Sequence, residues 1–167
     1  MDYKEAYNGW ASTFFFSFFD TIRLNPDVTR RAAGNALNYY IHSLQYVLFG
    51  RDYMDFGNER MFFFLATPEG FPNYIHWHIL IQYPGIDSIC NAKERAFFSK
   101  YKRESAQTAE RMQSVMDQKV LRIGGRKLHT RKEHIANLTS YTGKNLWYDK
   151  TRNDFVVGPY WKNRIVQ

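Results

Sequence analysis

A chain of 167 residues with 23 Lys and Arg against 16 Asp and Glu, a formal net charge of +7, has the length of one domain and a basic surface. Hydrophobic residues make up 44% and aromatics 18%, too many large apolar side chains for a disordered protein; Cys90, the single cysteine, excludes an internal disulfide and a cysteine-built zinc cluster. The apolar run over residues 14–19 is far shorter than a membrane span and the start Met1-Asp2-Tyr3-Lys4-Glu5 is too acidic for a signal peptide, so a soluble intracellular protein with no membrane partner is expected.

In chain order, residues 13–19 (TFFFSFF) are dense in strand formers and are expected to be a buried first strand, ended by Asp20 and Asn25-Pro26. Asn25 can cap a helix that begins at Pro26, along which Val28, Ala32, Leu37, Tyr40, Leu44 and Val47 recur at helical spacing until Gly50 stops it. Residues 61–67 (MFFFLAT) and 74–83 (YIHWHILIQY) flank the turn formers of residues 68–73, which predicts an antiparallel hairpin ended by Pro84-Gly85. Residues 92–118 are polar and free of Gly and Pro, as in a long exposed helix, and residues 119–123 (KVLRI) make a short strand closed by Gly124-Gly125. Thr130-Arg131-Lys132-Glu133 has the form of a capping box and predicts a last helix from there to about residue 145. The expected order is β-α-β-β-α-β-α in one α+β domain, a central antiparallel sheet with helices packed on it. Its core would span about residues 10–147, with an aromatic C-terminal tail over 148–167.

The residues that point to chemistry sit on the hairpin and the last helix. In Ile75-His76-Trp77-His78-Ile79-Leu80-Ile81, strand alternation sends His76 and His78 to one face and the isoleucines and Trp77 to the other. Glu69 precedes His76 by seven residues; a hairpin centred near Phe71-Pro72-Asn73 returns it opposite or next to His76. Two imidazoles and a carboxylate suit a divalent cation that keeps open positions for substrate oxygen. A lone His-x-His is more often a pair of half-buried histidines, and Glu69 is what shifts the balance.

On the last helix His134, Asn137, Tyr141 and Lys144 fall on one stripe beside an apolar stripe of Ile135, Leu138, Thr142 and Leu146. A phenol becomes a nucleophile when a nearby cation favours its phenolate, and Lys144 lies one turn from Tyr141. Tyr-x-x-Lys standing alone would describe an ordinary packing tyrosine; Tyr148 and Tyr160 are the rival nucleophiles should Tyr141 face away. Arg122, Arg126, Lys127, Arg131 and Lys132 form a basic cluster that could hold DNA or be a solvated charged loop. The same two readings apply to His134 and Asn137, while His42 is expected on a packed helix face and His129 in a loop.

The ordered set of the apolar segment 14–19, Glu69 with His76-Trp77-His78, and Tyr141-Thr142-Gly143-Lys144 resembles the three motifs of the rolling-circle replication initiator (Rep) nucleases of viruses and plasmids, single-tyrosine members of the HUH endonuclease superfamily. The spacing of Glu69 before His76 matches the parvoviral arrangement, and the separation of His78 from Tyr141 is similar to that class. The first motif departs from the family in lacking its Thr and Pro pattern. The resemblance implies an HUH/Rep-like sheet related to ferredoxin and RRM folds, with Glu69, His76 and His78 as ligands of Mg²⁺ or Mn²⁺, Tyr141 as nucleophile and Lys144 as its supporting cation. The implied activity is sequence-specific nicking and joining of single-stranded DNA through a 5′-phosphotyrosine, which initiates rolling-circle replication. The implied partners are single-stranded DNA such as an origin stem-loop, a helicase domain outside this chain, and host replication proteins. The compartment would be the host nucleus for a eukaryotic virus and the cytoplasm for a prokaryotic element. A relaxase or single-tyrosine transposase shares this chemistry, and a non-catalytic nucleic-acid-binding domain is the alternative without it.

Overall fold

The computed structural model describes residues 3–14, 16, 18–26, 28–54, 61–70, 75–82, 92–116, 122–123, 126–127 and 156–158. The elements are α1 (Tyr3–Ala11), β1 (Phe18–Arg23), α2 (Arg30–Phe49), β2 (Phe63–Glu69), β3 (His76–Gln82), α3 (Ala92–Met116), β4 (Arg122–Ile123), β5 (Arg126–Lys127) and β6 (Val156–Gly158). The strands form one antiparallel sheet in the order β4-β1-β3-β2-β6, with β5 also on β1, so the domain is α+β as expected. The two short strands share one register against β1, Arg122 and Ile123 opposite Arg23 and Ile22, then Arg126 and Lys127 opposite Phe19 and Phe18.

The first strand lies later than expected. Phe18, Asp20 and Ile22 of β1 are buried on one face, while Phe19 and Thr21 are half-buried and Arg23 is exposed on the other. Asp20 does not end the strand, because its carboxylate is satisfied inside the core. Tyr40 and Tyr101 donate to Oδ2 at 2.5 and 2.6 Å, and the Thr21 amide donates to Oδ1 at 2.9 Å. Burial still pushes this carboxyl above its ordinary pKa, against the opposing pull of those three hydrogen bonds; burial and the neighbouring Asp20 charge push both phenols well up. Phe14 and Phe16, expected within the strand, precede it and pack on Phe63, with ring centroids 4.4 and 6.2 Å away.

Helix α2 also starts later, at Arg30. Leu24 is still tied to the sheet through its amide to the Ile75 carbonyl at 3.1 Å, and Thr29 rather than Asn25 caps, its hydroxyl accepting from the Ala32 amide at 3.2 Å. Gly50, at φ 96°, closes the helix. Ala33, Leu37, Tyr40, Leu44 and Leu48 of α2 join Phe97, Tyr101 and Met112 of α3 over Phe18, Ile22, Phe64, Ala66, Trp77, Ile79 and Ile81 of the sheet. Polar bonds fix this layer. The Trp77 indole donates to the Ala33 carbonyl at 3.0 Å, the Gln45 amide pairs with both backbone groups of Phe62, and Lys100 donates to the Leu48 carbonyl at 2.9 Å. Helix α3, expected to be exposed, carries a buried stripe of Phe97, Tyr101, Glu104, Ser105, Thr108, Ala109 and Met112. Apart from Glu104, its described charged residues conceal that stripe because they occupy the intervening positions.

The opposite face of the sheet is covered at one end. There Tyr7 and Ala11 of α1, together with Phe14 and Phe16, pack on Phe19, Phe63, Leu65, Leu80 and Val157. Helix α1 lay outside the expected element order, and Val156–Gly158, which pairs with Ala66, Leu65 and Phe64, lies in the segment expected as a tail. Gly158 sits there for lack of space, because a Cβ would stand 2.1 Å from a ring carbon of Phe64. No helix among the described residues is long and apolar enough to cross a membrane.

Candidate metal centre

The other end of that face holds the expected ligands. Strands β2 and β3 pair in the register Glu69↔His76, Thr67↔His78 and Leu65↔Leu80, as the hairpin spacing predicts. Directly opposed residues in an antiparallel pair project to the same face, so Glu69, His76 and His78 converge. Gly70 at φ 85° lets the chain turn immediately after Glu69, a left-handed conformation that a Cβ would strain.

Both histidines aim Nε2 at the same carboxylate oxygen, Glu69 Oε2, at 3.0 Å from His76 and 2.5 Å from His78. The candidate ligand atoms of the three residues all lie within 4.8 Å of one another. Ligands around a small divalent ion stand about 2.0–2.2 Å from it, so atoms on its shell lie at separations of this order. The donor set therefore fits a metal ion, and this group of residues could bind one. Both rings share one carboxylate, and they meet edge to face at 4.8 Å and 87°.

The surroundings fix the ligands. His78 is buried, while His76 and Glu69 are half-buried. The second ring nitrogen of His78, Nδ1, lies 3.3 Å from the Thr21 hydroxyl. Without a cation, Nε2–H donates to the Glu69 carboxylate and Nδ1 accepts from the hydroxyl; a cation on Nε2 would require the other tautomer, with Nδ1–H donating to the Thr21 oxygen. Phe19 stacks on the His78 ring at 5.5 Å and 19°. Thr67 is fully buried beside His78 in the register, and its hydroxyl has no hydrogen-bond partner among the described residues.

Sequence reasoning singled out Glu69, His76 and His78 and missed their neighbours Thr21, Thr67 and Phe19. Period-two alternation from Phe18 places Phe19 and Thr21 on the histidine face; a first strand set over 13–19 leaves Thr21 out. Tyr141, Lys144, His134, Asn137, Arg131, Lys132, His129, Tyr148 and Tyr160 lie outside the described residues. Of the expected basic cluster, Arg122 is brought next to Arg23 in the register, and Arg126 and Lys127 opposite Phe19 and Phe18. His42 is exposed rather than packed; its Nδ1 is hydrogen-bonded to the Tyr53 hydroxyl.

Comparison with family models, with curated proteins and with solved structures returned no match. Function is therefore argued from the chemistry of these residues.

Proposed function

We propose that the chain is a divalent-metal-dependent nuclease of the HUH type that nicks and rejoins single-stranded DNA, with Tyr141 as the nucleophile. The observation that carries the reading is the convergence of two imidazoles and one carboxylate on a single point of a sheet face. Support also comes from the Tyr141-Thr142-Gly143-Lys144 sequence and the net charge of +7. Glu69, His76 and His78 would hold Mg²⁺ or Mn²⁺, which when bound supplies Lewis acidity toward a phosphodiester oxygen.

The chain's own residues do the rest. Tyr141 Oη, having lost its proton, attacks phosphorus in line; the P–O3′ bond breaks, the 3′ oxygen leaves with the electron pair and takes a proton to become a 3′ hydroxyl. The 5′ phosphate stays esterified to Tyr141. One phosphoester bond forms as one breaks, so attack by a 3′ hydroxyl on the phosphotyrosine rejoins the strand. Lys144, one helical turn away on the expected last helix, stabilises the phenolate and the charge on the phosphate. With a metal on Nε2, the Thr21 hydroxyl would accept from His78 Nδ1–H and orient the ring.

Incubation of the protein with a panel of labelled single-stranded DNAs and Mn²⁺ tests the reading on a denaturing gel. Wild type should give a slow-migrating protein–DNA adduct that Tyr141→Phe and removal of the metal both abolish. An adduct that persists in Tyr141→Phe would move the nucleophile elsewhere. Tight binding with no adduct across the panel would make the chain a nucleic-acid-binding module.

A further inference from the structure

Four strands contribute one residue each to a transverse row across the sheet: Arg122 of β4, Arg23 of β1, His76 of β3 and Glu69 of β2. Opposed residues share a face, and the Thr21–His78 contact two positions away confirms that this face of β1 is the histidine face. In the register His76 thus lies between Glu69 on one neighbouring strand and Arg23 on the other. Glu69 is drawn into contact with both imidazoles, whereas Arg23 is exposed and its side chain makes no hydrogen bond or ion pair with another described residue.

A fixed cation beside a dication site weakens metal binding unless an anion lies between them. A guanidinium cannot ligate a metal, but its planar fork matches two oxygens of a phosphate group. We propose that Arg23 is the phosphate anchor of the metal centre, gripping a backbone phosphate of the single strand whose neighbouring oxygen faces Glu69, His76 and His78. The proposal deepens the nuclease reading and rests on it for the identity of the anion. Arg23 is a binding and positioning residue.

The test uses the full chain, with Mn²⁺ affinity, inorganic phosphate binding and binding of a labelled mixed-sequence single strand measured separately. Arg23→Gln, a change at an exposed position, should leave Mn²⁺ affinity equal or tighter and weaken strand binding in the presence of Mn²⁺ roughly tenfold at low salt. The slope of log K against log salt should fall by about 0.7 for the one lost phosphate contact. Arg23→Lys should restore the salt slope and only part of the affinity, because a point charge replaces the fork. A merely structural arginine would change the melting temperature and leave the salt slope alone.

If wild type forms the covalent adduct and Arg23→Gln matches it in strand affinity and salt slope, the anchor is refuted and the nuclease reading stands. If no adduct forms but Mn²⁺-dependent phosphate binding is lost in Arg23→Gln, the anchor stands and the nuclease reading falls. Phosphate and strand binding that are both independent of Arg23, with no adduct, refute both.

Discussion

His78 is held from two sides, by Glu69 at Nε2 and by the Thr21 hydroxyl at Nδ1. If the second contact orients the ring for a metal, Thr21→Val keeps the side-chain shape and removes only the hydroxyl. Titration of the variant with Mn²⁺, followed by calorimetry or by paramagnetic resonance of the free ion, should show affinity lower by about tenfold, in the range common for residues behind a ligand. Glu69→Gln removes the charged ligand and should lower it further. Equal affinities for Thr21→Val and wild type would mean that Thr21 plays no part in holding the ring.

At the same scale but on the opposite face, Asp20 gives a pH signature. Its carboxyl is pushed above the 3.8 of an ordinary Asp, so between that value and the folded pKa the folded chain binds the proton more tightly than the unfolded chain does. The sign follows: this group makes stability fall as pH rises through the window, with a constant penalty above it. Asp20→Asn lacks that dependence. Urea unfolding of the two proteins at a series of pH values should therefore show the variant gaining on wild type as pH rises through the window, then holding level. A difference that stays flat from pH 3.8 upward would contradict the buried, desolvated carboxyl.

Among the elements, the β2–β3 hairpin was the most legible, and for a physical reason. Its register is set by seven residues on either side of a turn, so that Glu69 opposite His76 follows from local spacing and alternation. The position of β1 was not legible. A charged residue in mid-strand normally argues for a loop, and the partners that make Asp20 acceptable, Tyr40 and Tyr101, come from two helices distant in sequence. Helix α1 and strand β6 were missed because each is short and takes its stability from packing onto the aromatic end of the sheet, through Tyr7 and Ala11 in one case and Val157 in the other. Strand β6 makes its own prediction. Gly158→Ala would drive a methyl into the fully buried Phe64 ring, and denaturant unfolding should show a loss of roughly 1–3 kcal/mol, as for other overpacked cores. Unchanged stability would show that the strand is not held against β2.

At the scale of the molecule, the sheet separates two tasks. One face, under α2 and α3, buries most of the core; the other is closed at one end by α1 and its aromatic neighbours and carries the histidines and Glu69 at the other. This division leaves the three candidate ligands on the sheet, two of them half-buried. The nuclease reading requires that Tyr141 meet a phosphate at this end of the face. Mapping the covalent product tests that most directly: after incubation with single-stranded DNA and Mn²⁺, nuclease trimming, tryptic digestion and mass spectrometry, the added nucleotide mass should fall on the peptide spanning residues 133–144, at Tyr141. It should disappear when both His76 and His78 are replaced by alanine. Nucleotide attached to any other peptide, or attached equally well without the two histidines, would contradict the account.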